Sequence, residues 1–149
     1  MNGAKMMPIQ TTGTTLAYPP RVTPFTEPFW QGLNDGVLRT TRCRECSHMT
    51  FPPKPVCPEC WKSEVDWVDL SGRGTLYSYT EVSAAPATFA DEVPYVLCLV
   101  DLDEGVRCLS RILAPWEALR PDLRVRMKVR ETKPVRLFDF EIDESEEAR

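Results

Sequence analysis

The rhythm of apolar and polar positions changes twice along this 149-residue chain. Residues 1–22 have no period; they are polar, rich in Thr and Pro, and are expected to form a flexible N-terminal tail able to order on a partner. Thr26-Glu27-Pro28 then opens a helix, with Thr as N-cap and an acid and a proline in the first turn. Phe29, Trp30, Leu33 and Val37 follow at helical spacing, and Gly36 is the stop. Too short to bury a face of its own, this helix must dock on its own neighbouring module or on another protein. Leu38–Arg42 predicts a short strand. Beyond residue 64 the period becomes two. Val65, Trp67 and Val68 lead to Ser71-Gly72-Arg73-Gly74, a bend or bulge, and then to a strand at Thr75–Val82. Residues 83–94 form a long loop with two prolines. Tyr95–Leu102 and Val106–Leu113 are the arms of a hairpin turned at Asp103-Glu104-Gly105. One helical turn at 115–119 precedes strands at Leu123–Arg130 and Val135–Ile142, and 143–149 is an acidic tail. Five strands, the first bent at glycines, suit an OB-type barrel; an SH3-like barrel is the nearest alternative, and a sandwich needs more strands.

Between helix and barrel lies RCRECSHMTFPPKPVCPEC, residues 42–60. Cys43 and Cys46 form one Cys-x2-Cys pair and Cys57 and Cys60 another. Each two-residue gap lets a pair wrap one ion through a tight turn, and four thiolates give the closed tetrahedral set of a structural zinc. Pro52, Pro53, Pro55 and Pro58 oppose a helix, and Ser47 and Trp61 follow the second cysteine of each pair, as two ribbon knuckles require. A redox disulfide and an all-sulfur iron site are the competing readings, and the spacing does not separate iron from zinc. The domain reading is therefore 1–22 tail, 23–63 helix and rubredoxin-like zinc ribbon, 64–142 barrel, 143–149 acidic tail: a mainly β chain.

Metal-ready thiolates, no apolar run near the ~20 residues of a membrane span, and an N-terminus without a secretory apolar core predict a reducing cytoplasm. Cys98 and Cys108, on the hairpin arms, are expected to be buried free thiols. A net charge of −4 opposes non-specific attraction to nucleic acid or an anionic membrane.

Candidate chemistry is sparse. The single histidine, His48, sits in the ribbon as a surface residue or a donor beside a metal thiolate, and no Ser-His-Asp or Cys-His set can be assembled. Asp101, Asp103 and Glu104 are expected to be solvated turn residues. Arg124, Arg126, Lys128 and Arg130 alternate with Leu123, Val125, Met127 and Val129, which puts four cations on one strand face. Arg120–Arg136 holds seven cations and two acids, whereas Asp139–Arg149 holds six acids and one cation. The strand is either an ordinary wet face neutralised by the tail, or a surface whose guanidinium forks suit phosphates; Arg73, between two glycines, is a further candidate. Phe89 is the one large apolar group in the 83–94 loop, either folded onto the barrel mouth or held for an acyl chain or partner. Phe29, Trp30 and Leu33 are the helix's docking residues. Tyr77 and Tyr79, on one strand face near the basic strand, raise single-stranded nucleic-acid binding as a reading of another class.

The order of motifs is more specific than any one of them. PFWQGL, two Cys-x2-Cys pairs around FPP, WVDLSGRGTLYSYTEV, PYVLCLVDLDEGVRCLSRI and a basic alternating strand together resemble the zinc-ribbon/OB-fold proteins of acyl-CoA metabolism, once catalogued as a domain of unknown function, over residues 24–142. The resemblance implies an auxiliary, non-catalytic subunit of a thiolase, thiolase-like aldolase, acyltransferase or enoyl-CoA hydratase. It implies one structural zinc, a hetero-oligomer, and an OB surface over the partner's acyl-CoA entrance. Degradation of steroids and aromatic acids is the recurrent setting. On that footing Arg73, Phe89, Arg124, Arg126, Lys128 and Arg130 are candidates for coenzyme A or partner contact.

Overall fold

Alternation builds the barrel. The computed structural model describes residues 9–147, with elements in the order β1 (Ile9–Thr15), α1 (Glu27–Asn34), β2 (Leu38–Cys43), β3 (Met49–Thr50), β4 (Val65–Leu70), β5 (Arg73–Val82), β6 (Tyr95–Leu102), β7 (Arg107–Ile112), β8 (Arg124–Lys133), β9 (Leu137–Ile142) and α2 (Glu144–Glu147). In β6 every second residue (Val96, Cys98, Val100, Leu102) is buried, and in β8 Val125, Met127 and Val129 are. Strands of period two place those side chains on one face, and closing the sheet makes that face a core. The order is β5-β6-β7-β9-β8, and β8 returns to β5 through Arg73↔Arg126, Gly74↔Val125 and Thr75↔Arg124. The β7–β9 pair is parallel, at Ile112↔Phe140. This is the strand order of a closed five-stranded OB barrel. Gly74 is obligatory in it: a Cβ there would lie 2.4 Å from the Asp101 carbonyl oxygen. Gly72, at φ 70°, supplies the bend that precedes β5.

A second sheet, β3-β2-β4, forms the ribbon, with β2 central and Leu38–Cys43 antiparallel to Val65–Leu70. Its proline-rich spacer is pinned from below. The buried Thr40 hydroxyl donates to the Thr50 carbonyl; the Thr41 hydroxyl donates to the Lys54 carbonyl and accepts from the Lys54 N–H, both at 3.1 Å. The helix docks within the chain. Leu33 is fully buried, and the Phe29 ring meets those of Trp30, Phe51 and Phe138 at 4.9, 6.2 and 6.4 Å, edge to face. Thr26 is not a side-chain cap; its hydroxyl accepts from the Thr23 N–H at 2.9 Å and tightens the entry to the helix. Among the described residues no helix is long and apolar enough to cross a membrane.

Both ends depart from the sequence reading. Within the stretch read as an aperiodic tail, Ile9–Thr15 is a strand parallel to β8, from Ile9↔Val129 to Thr15↔Lys133, and Leu16 N–H donates to Lys133 O at 2.8 Å. Residues 1–8 lie outside the described residues. β8 outruns β5, and β1 takes up the backbone groups β5 leaves open, a role that needs no apolar period. At the other end Asp143 is fully buried. Its carboxylate accepts from the Ser145 N–H at 3.2 Å and hydroxyl at 2.5 Å, which ties α2 to the barrel.

Candidate metal centre and its flanking surfaces

The two knuckles are copies of one another. Cys43 N–H donates to His48 O at 2.9 Å and Ser47 N–H to Cys43 O at 3.1 Å; Cys57 N–H donates to Lys62 O at 2.9 Å and Trp61 N–H to Cys57 O at 3.0 Å. Ser47 and Trp61 both sit at φ 61°, in the left-handed region where glycine is the usual residue. The turns close the four thiols on one point: Cys43 Sγ lies 3.5 Å from Cys60 Sγ, Cys46 Sγ 3.6 Å from Cys57 Sγ, and all four lie within 4.8 Å of one another. Four sulfurs at a Zn–S distance of about 2.3 Å around a tetrahedral ion stand about 3.8 Å apart, so the cage fits zinc as found. The Cys46 N–H holds the Cys43 thiol down to about 7. The His48 N–H acts likewise on Cys46, but burial and the three neighbouring thiols push that group up to about 12. A dication removes the conflict by deprotonating all four. Such a set leaves no coordination position open, which assigns the ion a structural task. His48 supplies its backbone to the first knuckle; its ring is not part of the cluster.

The cations of β8 share one face, as their period requires, and β9 lies beside them in register, with Arg126↔Glu141 and Lys128↔Asp139. Arg126 Nε lies 2.9 Å and Lys128 Nζ 3.2 Å from Glu141, Arg130 Nε lies 3.0 Å from Asp139, and Arg124 grips Asp103 through two bonds of 2.8 and 2.9 Å. Arg73 lies 3.4 Å from Asp143. The acids near the C-terminus are thus cross-strand partners of the basic strand. Asp103, expected to be solvated, is part of that pairing, as Asp101 is with Arg107 at 2.6 Å. Burial pushes the Asp139 carboxyl up, against the pull of Arg130 and Arg111. Burial also pushes both Cys98 and Cys108 to about 12; diagonal across β6–β7 (Cys98↔Ser110, Val100↔Cys108), they are inert free thiols.

The remaining candidates are dispersed. A bulge between Leu76 and Ser78 separates the two tyrosines. Tyr77 lies under the Arg107 guanidinium, 3.5 Å from the ring centroid, and Tyr79 packs on Trp116 at 5.0 Å and donates to Leu119 O at 3.0 Å. Tyr79 is thus engaged inside the chain, while Tyr77, 52% exposed, is covered by Arg107. Phe89, 38% exposed, rides on a 3-10 segment at Ala87–Glu92 that Arg111 holds through Glu92 and through its approach to the Phe89 ring at 5.6 Å. Phe29 and Leu33 belong to the core, so the helix packs within the chain; Phe29 and Trp30 also border an open cleft.

Two family models match in tandem, the ChsH2 rubredoxin-like zinc ribbon domain over residues 30–66 and the ChsH2 C-terminal OB-fold domain over residues 67–130. A DUF35 domain-containing scaffold protein of Pyrococcus furiosus is 33% identical over 96 residues, 64% of this chain and 68% of that one. The chain belongs to this DUF35 zinc-ribbon/OB-fold family. Another relative, the benzoylsuccinyl-CoA thiolase subunit BbsA of Thauera aromatica, is 33% identical over 92 residues, 62% of each chain. Among solved structures, a chain of the Ltp2-ChsH2(DUF35) aldolase superposes with a TM-score of 0.72 at 28% identity, over 83% of this chain and 98% of that one. This DUF35 chain spans between half and two thirds of the length of several curated relatives it matches. Sequence reasoning offered neutralisation of the basic strand by the acids that follow it as one of two readings, and missed only the register of that pairing. The signal was present: Asp139, Glu141 and Asp143 recur with the same period of two as the cations opposite them.

Proposed function

We propose that this DUF35 protein is a non-catalytic subunit of an acyl-CoA-processing enzyme of thiolase type, acting in assembly or in handling the thioester. The observation that carries the reading is architectural: ribbon and barrel follow one another as in a chain of an aldolase complex. The chemistry of the site agrees. Among the described residues the one group of three or more His, Cys, Asp or Glu side chains able to hold a metal is the four-thiol cage, whose closed coordination suits a structural ion; in this reading bond-making belongs to the partner. A thiolase-like aldolase or an enoyl-CoA hydratase is the neighbouring alternative for that partner. Thiolate ligation suits a reducing compartment, in keeping with a cytoplasmic enzyme.

Coenzyme A contact is the finer part of the proposal. Arg73, Arg124, Arg126, Lys128 and Arg130 offer guanidinium and ammonium groups to its phosphates, which would take them over from Asp103, Glu141, Asp139 and Asp143. Most of these cation side chains are between 23% and 34% exposed, so solvent and a phosphate can reach them. Phe89, 38% exposed, would meet the apolar part of the thioester.

Co-expression with a thiolase-like protein encoded beside it tests the reading. A stable heteromeric complex, with turnover lost when this chain is omitted, is the expected result. Two separately purified species, with full turnover by the partner alone, would overturn it.

A further inference from the structure

Strand β6 carries more apolar side chains than its barrel needs. The run Tyr95–Val100 is apolar without a break, yet only Val96, Cys98 and Val100 of it face the core; Tyr95, Leu97 and Leu99 lie on the outer side, half-buried. Leu99 pairs across the ladder with Leu109 on β7, and Leu109 is 60% exposed. A strand apolar on both faces is, as a rule, covered on both faces. The outer leucines also join two hollows. One, of about 500 Å³, opens between α1, the ribbon spacer and the barrel, with Trp30, Phe51, Pro52 and Pro53 bordering it along with Leu99 and Leu109. The other, of about 330 Å³, lies over Tyr79 and Leu97 and shares the same two leucines.

The charges around this face are already engaged. Arg107 makes two bonds to Asp101, at 2.6 and 3.0 Å, and covers Tyr77; Arg111 is paired with Glu92. A neutral face with no free charge selects a neutral counter-face. It offers few of the placed polar groups that orient a small molecule. In the larger hollow the Thr26 hydroxyl is bonded to Thr23, Arg107 is bonded to Asp101, and the buried Trp30 indole N–H is the one donor there without a hydrogen-bond partner among the described residues. Apolar area free of unpaired charge is the composition of a protein interface core. Strands β6 and β7 are also the pair whose outer face carries ligands in OB folds; here Leu97, Leu99 and Leu109 occupy its middle, and the Arg107 and Arg111 guanidiniums beside them are held by Asp101 and Glu92.

We infer that the outer face of β6–β7 is the core of the contact with the enzyme subunit, with an uncharged aromatic or branched aliphatic side chain of that subunit seated in the hollow between α1, spacer and barrel. This rests on the subunit reading above. Because helix, ribbon and barrel all border the hollow, one inserted side chain touches all three modules and reads their relative placement.

The experiment is co-purification of the full chain with the enzyme subunit, comparing wild type, Leu109→Glu and Tyr18→Glu. Leu109 and Tyr18 are both exposed, so each variant should keep its zinc and its circular-dichroism spectrum. Leu109→Glu is expected to weaken assembly by about 100-fold, the loss typical of a central interface residue, and Tyr18→Glu, away from this face, to leave it unchanged. If wild type assembles and Leu109→Glu assembles equally well, this inference fails and the subunit reading stands. If wild type does not assemble, both fail. A wild-type homodimer that Leu109→Glu converts to monomer, with the heteromeric complex unaffected, gives the face to a second copy and also overturns the inference.

Discussion

The ribbon sheet and the barrel differ in what fills them. The barrel encloses Leu76, Val100, Val125, Met127, Val129 and Phe140, each at 0–1% exposure. The ribbon contributes Leu38 and Leu70 to the same apolar cluster, at the end where it meets the helix and barrel; at its far end the only common centre is four sulfur atoms. Thr40 and Thr41 fasten the spacer by hydrogen bonds, each worth about 1 kcal/mol net. Burial of apolar surface therefore suffices for one region, while the other is expected to depend on an ion held between its knuckles. A chain of this design can keep a stable barrel and still lose the surface that the ribbon, helix and barrel build jointly.

The largest effect expected is that of metal removal. Structural zinc contributes roughly 10–16 kcal/mol in small modules, far more than residues 43–62 hold in apolar contacts. Protein purified without added metal should contain one zinc per chain by elemental analysis. Chelation should abolish hydrogen-exchange protection across the knuckles while β5–β9 keep theirs. Simultaneous loss in the barrel would break the contrast, since it would mean the barrel depends on the ribbon for its own closure.

The converse perturbation is Phe140→Ala. Phe140 is fully buried, 6.0 Å from the Phe138 ring, at the point where β7 and β9 meet. Truncating a core phenylalanine costs about 3–5 kcal/mol. The denaturant midpoint should fall accordingly, while zinc content stays at one per chain as long as the protein remains folded. Zinc lost in proportion to the fall would show that the two regions fold as one unit.

The same contrast explains what the sequence made legible. Metal spacing is local and was read without error: Cys43, Cys46, Cys57 and Cys60 lie together as their gaps require. The strands with a wet face and a core face were read within a few residues, and Tyr95–Leu102 to the residue. What escaped depended on partners distant in the chain. Ile9–Thr15 has no apolar period because it serves β8 by its backbone, more than 100 positions away. Tyr77 and Tyr79 share a face only in an unbroken strand, and the bulge between them is set by pairing with β6. Asp143 looked like the first residue of a solvated tail, and its burial follows from Arg73 and Ser145 meeting around it. The helix left two docking options open, and Phe51 and Phe138, neither adjacent in sequence, decided in favour of the chain's own interior.

Acid should separate the two regions in order. Thiolates must be deprotonated to hold an ion, so falling pH releases the metal and loosens the ribbon first. The barrel's sensitivity lies lower. Asp143 is buried, which by itself raises a carboxyl, but the Ser145 hydroxyl and N–H and the nearby Arg73 and Arg126 outweigh burial and hold it below its ordinary 3.8. A carboxylate depressed in the folded state adds stability that is complete above its unfolded value and is lost as pH falls through the folded value. That contribution therefore disappears only below about pH 4, after the ribbon has gone. Asp143→Asn keeps the size of the side chain and removes the charge, at a cost of about 1.5–3 kcal/mol near neutrality, the range for hydrogen bonds to charged groups. Its barrel should then show a shallower acid limb than wild type, with the ribbon transition unmoved. An acid limb identical to wild type would place the barrel's acid sensitivity in the other cross-strand carboxylates. A shifted ribbon transition would mean that the two regions share their proton linkage after all.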